Sequence, residues 1–128
     1  MKEKQRFFIC NHCKNIINFV EDNGVPVVCC GEKMIELKAN TVEASKEKHL
    51  PEIAFDGEIL KVQVGSVLHP MTDEHYISFI HVETEHGGQS KFLKPGDEPV
   101  AEFSFVKDKP IAVYEYCNLH GLWKVENR

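Results

Sequence analysis

No stretch of this chain is apolar for long enough to cross a bilayer; the longest runs, such as Ile111 to Val113, last only a few residues. Nor is there a stripe of lysine or arginine. Basic residues number 15 against 20 acidic ones, a net charge of -5, which argues against a nucleic-acid partner. The N-terminus, Met1-Lys2-Glu3-Lys4-Gln5-Arg6, carries charge but no following apolar core of signal-peptide length, so a soluble cytoplasmic protein is expected. Internal repeats and low-complexity segments are also lacking. An apolar content of 42% and a charged content of 27% are ordinary for a globular protein and exclude disordered and fibrous classes. The 128 residues suffice for one domain, or for a small module and a slightly sub-average one.

Cysteine is the residue that needs explaining. A reducing cytoplasm keeps disulfides from forming, and the five cysteines could not all pair in any case. Four of them, Cys10, Cys13, Cys29 and Cys30, fall in the first 30 residues, whereas Cys117 stands alone near the C-terminus. That division points to two separate sites.

The chain reads as two modules, 1-37 and 38-128. In the first, Phe7-Phe8-Ile9 leads into Cys10-Asn11-His12-Cys13, Asp22-Asn23-Gly24 signals a turn, and Val25 to Val28 is extended. So short a module buries too little apolar surface to fold without a staple, and here a metal would be the staple. The polar segment Ala39 to Lys48 is compatible with either a helical turn beginning after Thr41 or a loop. From Glu52 the pattern is β. Leu60, Val62 and Val64 alternate with Lys61 and Gln63, and Ala101, Phe103 and Phe105 alternate with Glu102 and Ser104. Tyr76 to Thr84, ended by Gly87-Gly88, and Gln89 to Leu93 are further extended runs. Turns at Lys94-Pro95-Gly96-Asp97 and Lys107-Asp108-Lys109-Pro110 precede the last runs, Ile111 to Tyr116 and Leu122 to Val125. Six or seven short strands at this spacing predict a mainly β chain whose second module is an antiparallel, immunoglobulin-like sandwich. Only the architecture is implied, because the Cys…Trp…Cys pattern of antibody domains is missing.

Two turns that each carry two sulfurs can wrap one tetrahedral cation, and a set of four thiolates suits zinc or iron. A zinc ribbon that only holds the fold uses the same donors. Zinc ribbons normally present a second C-x-x-C, however, whereas the adjacent pair Cys29-Cys30 has a short bite that favours iron. His12 lies inside the first knuckle, but four sulfurs complete the site, so it reads as a solvent-facing turn residue.

The second module holds His49, His69, His75 and His120 together with Cys117, which begins the chelate spacing Cys117-Asn118-Leu119-His120. Any one of these histidines alone would be unremarkable. Four of them in loops and strand ends, with the last remaining cysteine, form a candidate metal centre. His81, in an extended run, and His86, before Gly87-Gly88, read as structural or surface residues.

Cys-x-x-Cys with a later Cys-Cys, then Glu47-Lys48-His49, His69-Pro70-Met71-x-x-x-His75 and Cys117-Asn118-x-His120-Gly121-x-Trp123 resemble the full pattern of the desulfoferrodoxins, two-iron superoxide reductases. The resemblance covers essentially the whole chain. It implies a desulforedoxin-like first module with a mononuclear iron on Cys10, Cys13, Cys29 and Cys30, without inorganic sulfide. It implies a second iron held by His49, His69, His75 and His120 through neutral imidazoles, with Cys117 as axial thiolate and the sixth position open. The implied activity is one-electron reduction of superoxide to hydrogen peroxide, with an external donor such as rubredoxin and a homodimeric assembly. Glu47 is implied to reach the open position after turnover.

Charge counting orders the two sites. Ferric iron with four thiolates is a net anion, which keeps its potential low. Ferrous iron with four neutral imidazoles and one thiolate is a net cation, which favours the reduced metal and attracts an anion, so electrons should run from the first site to the second. The first iron either relays electrons or only stabilises the assembly. Because the protein is acidic overall, attraction of superoxide must be local, and Lys48 is the residue expected to draw it in and help deliver a proton. The plain alternative for Lys48 is a solvated charge in a polar loop. Three other functions compete with the reductase reading: a pure electron carrier, a zinc-stapled binding module, and a dismutase.

Overall fold

A computed structural model describes residues 5–127. Met1 to Lys4, part of the charged N-terminal stretch read above, and Arg128 lie outside the described residues. The chain divides into two compact units, one ending at Lys38 and the other starting at Ala39.

In the first unit, β1 (Phe7–Ile9) is the centre of a three-stranded antiparallel sheet between β2 (Ile16–Asn18) and β5 (Ile35–Leu37), and β3 (Val28–Cys29) and β4 (Glu32–Lys33) form a separate hairpin. Among the described residues, Phe7, Cys10 and Met34 are the buried apolar residues of this unit. That is a very small core, consistent with a fold that needs a staple. Asp22-Asn23-Gly24 is a turn as expected: Gly24 has φ 79° and its N–H donates to Asp22 Oδ1 at 2.9 Å. Arg6 ties this turn to β5, its guanidinium meeting Asp22 at 2.7 Å and Glu36 at 3.4 Å.

The second unit opens with a single helical turn, α1 (Lys46–His49), which begins after Thr41, the first of the two readings that the polar segment left open. Seven strands follow: β6 (Pro51–Phe55), β7 (Ile59–Val64), β8 (Ile77–Thr84), β9 (Gly87–Phe92), β10 (Val100–Ser104), β11 (Pro110–Cys117) and β12 (Gly121–Glu126). They make two antiparallel sheets, in the orders β10-β7-β6 and β12-β11-β8-β9. Alternation decides which face is buried. Leu60, Val62 and Val64 of β7 and Ala101 and Phe103 of β10 meet Ile77, Ile80 and Val82 of β8 and Val113 and Cys117 of β11 in one core. Each large aliphatic side chain buried there contributes on the order of 1.5–3 kcal/mol. The chain is mainly β, and its second unit is the immunoglobulin-like sandwich. Several boundaries differ from expectation: Gly87-Gly88 opens β9 rather than ending β8, β10 stops at Ser104 before Phe105, and Pro110 is the first residue of β11 rather than the end of a turn.

Register places one end of this sandwich in command of the chemistry. Pro51 pairs with Val64, and Cys117 pairs with both Ile77 and Gly121. The end of α1, the end of β7, the start of β8 and the β11–β12 turn therefore converge. The β8–β11 register shifts between Tyr116 and Cys117, an irregularity of the kind that re-aims a side chain beside a site.

Candidate metal centres

Two turns build the first donor group. Cys10 N–H donates to Asn15 O and Lys14 N–H donates to Cys10 O, both at 2.9 Å, closing a loop that ends with Lys14 at φ 67°. Facing it, Cys29 pairs with Glu32, which leaves Cys30 and Gly31 as a two-residue hairpin loop. Both have positive φ, 53° and 77°, as a type I′ turn requires, so the adjacent cysteines are one strand residue and one turn residue. The four sulfurs lie within 4.8 Å of one another, with Cys13 and Cys29 sulfurs 3.6 Å apart. They cannot all ionise unaided. The Cys13 N–H directed at its sulfur holds Cys10 down to about 6, whereas the hydrogen bond between its thiol and Cys10 pushes Cys30 up to about 12. A thiophilic cation removes that conflict, and this donor set suits iron. His12 stands outside it, exposed, 2.9 Å from Glu32, where an ion pair contributes little.

The second group gathers at the end of the sandwich. His49, His69, His75 and Cys117 bring donor atoms within 4.8 Å of one another. His120 joins them, its Nδ1 3.1 Å from His49 Nε2 and 3.8 Å from Cys117 Sγ. The ring of His49 is fixed on both sides: its Nδ1 lies 2.7 Å from Ser45 O, and Trp123 stacks against it with centroids 4.9 Å apart. The indole N–H of Trp123 donates to His120 O at 3.1 Å. His69 repeats the pattern, with Nδ1 2.7 Å from Pro70 O. Since a carbonyl only accepts, each Nδ1 carries the proton and each Nε2 presents a lone pair. These two Nε2 atoms lie 3.2 Å apart, and His75 Nε2 is buried with no hydrogen-bond partner. Converging lone pairs without a proton between them are what a bound cation resolves, so the residues present fit the iron that the resemblance implied.

Burial favours the neutral form of His49, His69 and His75. It pushes the His69 imidazole down to about 4 and lowers His49 and His75, with the Lys48 ammonium adding to the last two. Burial raises the Cys117 thiol, against backbone N–H groups that favour its thiolate, including that of His120 at 3.4 Å from the sulfur. Gly121, with φ 81°, allows the tight Cys117–His120 turn to re-enter β12.

Glu47 and Lys48 are exposed on α1 beside this centre. Their backbone is held by the loop after β7, where Val67 N–H and the Ser66 hydroxyl donate to Glu47 O at 3.0 and 3.3 Å. Gly65 packs beneath them. A Cβ there would run into Glu47 O and lie 2.9 Å from the Lys48 carbonyl carbon. His81 and His86 stay apart from the centre. His81 is buried on β8, 2.6 Å from Ser90 Oγ, and His86 is exposed, 3.2 Å from Asp108. Glu85, His86 and Asp108 could also gather round an ion, but Glu85 and His86 are exposed, and Oδ1 of the half-buried Asp108 already accepts three N–H groups. A surface groove of about 940 Å3 between Phe55, Val106 and Pro110 lies near them, at the far end of the sandwich from the histidines.

Sequence reasoning missed Asn118, Gly65 and Glu115. Asn118 belongs to the family pattern but carries no role in the sequence reading, and the residues around Gly65 carry no motif. Glu115 is fully buried with neither carboxyl oxygen hydrogen-bonded, and burial raises its pKa well above the ordinary range. The alternation of β11 would have flagged it as an acid on a core-facing position.

The family model for desulfoferrodoxin matches residues 41–126. The desulfoferrodoxin of Nitratidesulfovibrio vulgaris is 45% identical over 126 residues, covering 98% of this chain and 99% of that protein. A superoxide reductase from Treponema pallidum, known from its crystal structure, matches with a TM-score of 0.82 and 36% identity, covering 97% of this chain and 100% of that one. The superoxide reductase of Giardia intestinalis matches 65% of this chain with 99% of its own, at a TM-score of 0.55 and 33% identity.

Proposed function

This chain belongs to the desulfoferrodoxin family, and on that premise we propose that it reduces superoxide to hydrogen peroxide at the His/Cys centre of its second unit. It is an oxidoreductase with two groups that can each hold iron. The observation that carries the reading is the convergence of the His49 and His69 lone pairs, the orphan Nε2 of His75, and the Cys117 sulfur. The ligands are His49, His69, His75, His120 and Cys117 at this centre, and Cys10, Cys13, Cys29 and Cys30 at the other.

Iron at the His/Cys centre would supply the single electron that superoxide accepts. Two protons complete the reaction, giving one hydrogen peroxide for each superoxide. The chain's own residues handle charge and protons. The Lys48 ammonium, exposed and close enough to depress His49 and His75, creates the local positive field that an anionic substrate needs in an acidic protein. It holds a proton at Nζ that can pass to the reduced oxygen through water. Glu47, next to it on the same turn, is exposed beside the centre and would be the carboxylate available to help hold the oxidised metal. Ser45 O and Pro70 O keep the proton on Nδ1 of His49 and His69, so both rings stay neutral donors.

The electron donor is a small rubredoxin-type protein. Exposed Val67, Leu68 and Leu119 beside the centre support this, since they offer an apolar contact surface. The assembly is a homodimer, supported by four exposed apolar residues on the small first unit: Val20, Val25, Val28 and Ile35. Among the described residues no helix is long and apolar enough to cross a membrane. The location is cytoplasmic, which five free cysteines support.

Loading the two sites with iron or with zinc tests the reading. The reduced iron form should consume superoxide far faster than its spontaneous decay, and the zinc form should not. Equal rates for the two would leave only a stapled binding module.

A further inference from the structure

We infer that Asn118, which belongs to neither donor set, positions His75 by gripping the backbone on both sides of it. The inference rests on His75 being a ligand.

Ligating histidines are ordinarily aimed through their second ring nitrogen. His49 and His69 follow that rule, with Ser45 O and Pro70 O each 2.7 Å from Nδ1. Among the described residues, His75 has no such bond. Its Nε2 is buried without a partner. Its ring must therefore be aimed from the backbone.

Asn118 supplies that aim. Its Oδ1 accepts the Tyr76 N–H at 2.8 Å, and its Nδ2 donates to Glu74 O at 2.9 Å, so one amide side chain holds both neighbours of His75. The Asn118 N–H adds a bond to Tyr76 O at 3.2 Å. Asn118 also lies between Cys117 and His120 in the turn, so the clamp sets His75 directly against two other donors. Thr72 closes the loop locally, its hydroxyl donating to His75 O at 3.3 Å and accepting His75 N–H at 3.1 Å. Those bonds stay within the loop, whereas Asn118 reaches it from the β11–β12 turn, 42 residues from Tyr76. The task needs a donor and an acceptor at one short reach: aspartate lacks the donor, and alanine lacks both.

A double-mutant cycle in the full-length chain tests the clamp. With the N-terminal thiolates filled by zinc, cobalt(II) is titrated against a competing chelator and followed by its visible bands. Asn118→Ala should weaken cobalt binding roughly ten- to a hundredfold, the usual cost of losing an outer-shell partner. In a His75→Ala background the same change should cost less than about twofold, because two residues that act through one contact are not additive. An undiminished effect in that background, or wild-type affinity in the single variant, would overturn the inference. Unchanged affinity in His75→Ala alone would instead overturn the assignment of His75 as a ligand. Should Asn118→Ala not fold, Asn118→Ser runs the same cycle. In the metal-free chain the Tyr76 amide should exchange faster in either variant while Ile80 is unaffected; equal exchange at Tyr76 would also overturn the clamp.

Discussion

His49 and His69 point their Nε2 atoms at one another across 3.2 Å, while the far nitrogen of each ring lies 2.7 Å from a backbone carbonyl. The carbonyls fix both tautomers, so the two lone pairs face each other. In a protein core that arrangement is unfavourable until a cation sits between them, and burial closes the other escape by disfavouring protonation.

Removing one ring should therefore empty one centre and spare the other. His69→Ala is expected to bind one iron per chain instead of two, keeping the thiolate absorption of the Cys10, Cys13, Cys29 and Cys30 site. Metal analysis with visible spectroscopy checks this; two irons per chain would mean His69 is dispensable.

Lys48 is exposed beside the proposed centre and close enough to depress His49 and His75. Lys48→Ile should slow the encounter with superoxide by roughly tenfold or more at low salt, and should flatten its dependence on ionic strength. Pulse radiolysis at several salt concentrations measures both, and an unchanged rate constant removes Lys48 from the mechanism.

Gly65 is the floor beneath the Glu47-Lys48-His49 turn. Gly65→Ala places a methyl group against Glu47 O, which no flexible side chain can yield to. Overpacking of this kind costs about 1–3 kcal/mol. The variant should melt earlier and react more slowly with superoxide; a wild-type melting curve would show that the turn has slack.

His81 supplies a pH dependence away from either centre. Burial pushes its imidazole from 6.5 down to about 4. The folded protein thus holds His81 neutral while the unfolded chain takes up a proton below 6.5. Its stability contribution is present above 6.5 and is lost as pH falls toward 4. His81→Asn, which keeps an acceptor or donor near Ser90, should flatten the stability profile in that window by up to about 1.4 kcal/mol per pH unit. Denaturant midpoints at pH 4.5 and 6.5 measure the difference, and parallel profiles would contradict it.

Much of this was legible in advance, for identifiable reasons. Alternation in β7 and β10 survives in sequence because one face of each strand is buried, and cysteine and histidine spacings survive because a small ion demands close donors. Strand boundaries were less legible, since Gly87-Gly88 can as readily open a strand as end one. Asn118 was invisible as a clamp because its partners, Glu74 and Tyr76, offer only backbone atoms. Gly65 was invisible because its neighbour across the fold is the carbonyl of Glu47. Contacts to main chain leave little trace in side-chain patterns.

The most direct measurement is product stoichiometry when superoxide meets the anaerobically reduced, iron-loaded protein. A reductase should yield one hydrogen peroxide per superoxide, with no oxygen released and the His/Cys iron oxidised in step. One peroxide and one oxygen for every two superoxides, with the iron returning to its starting state, would contradict that account and make the protein a dismutase.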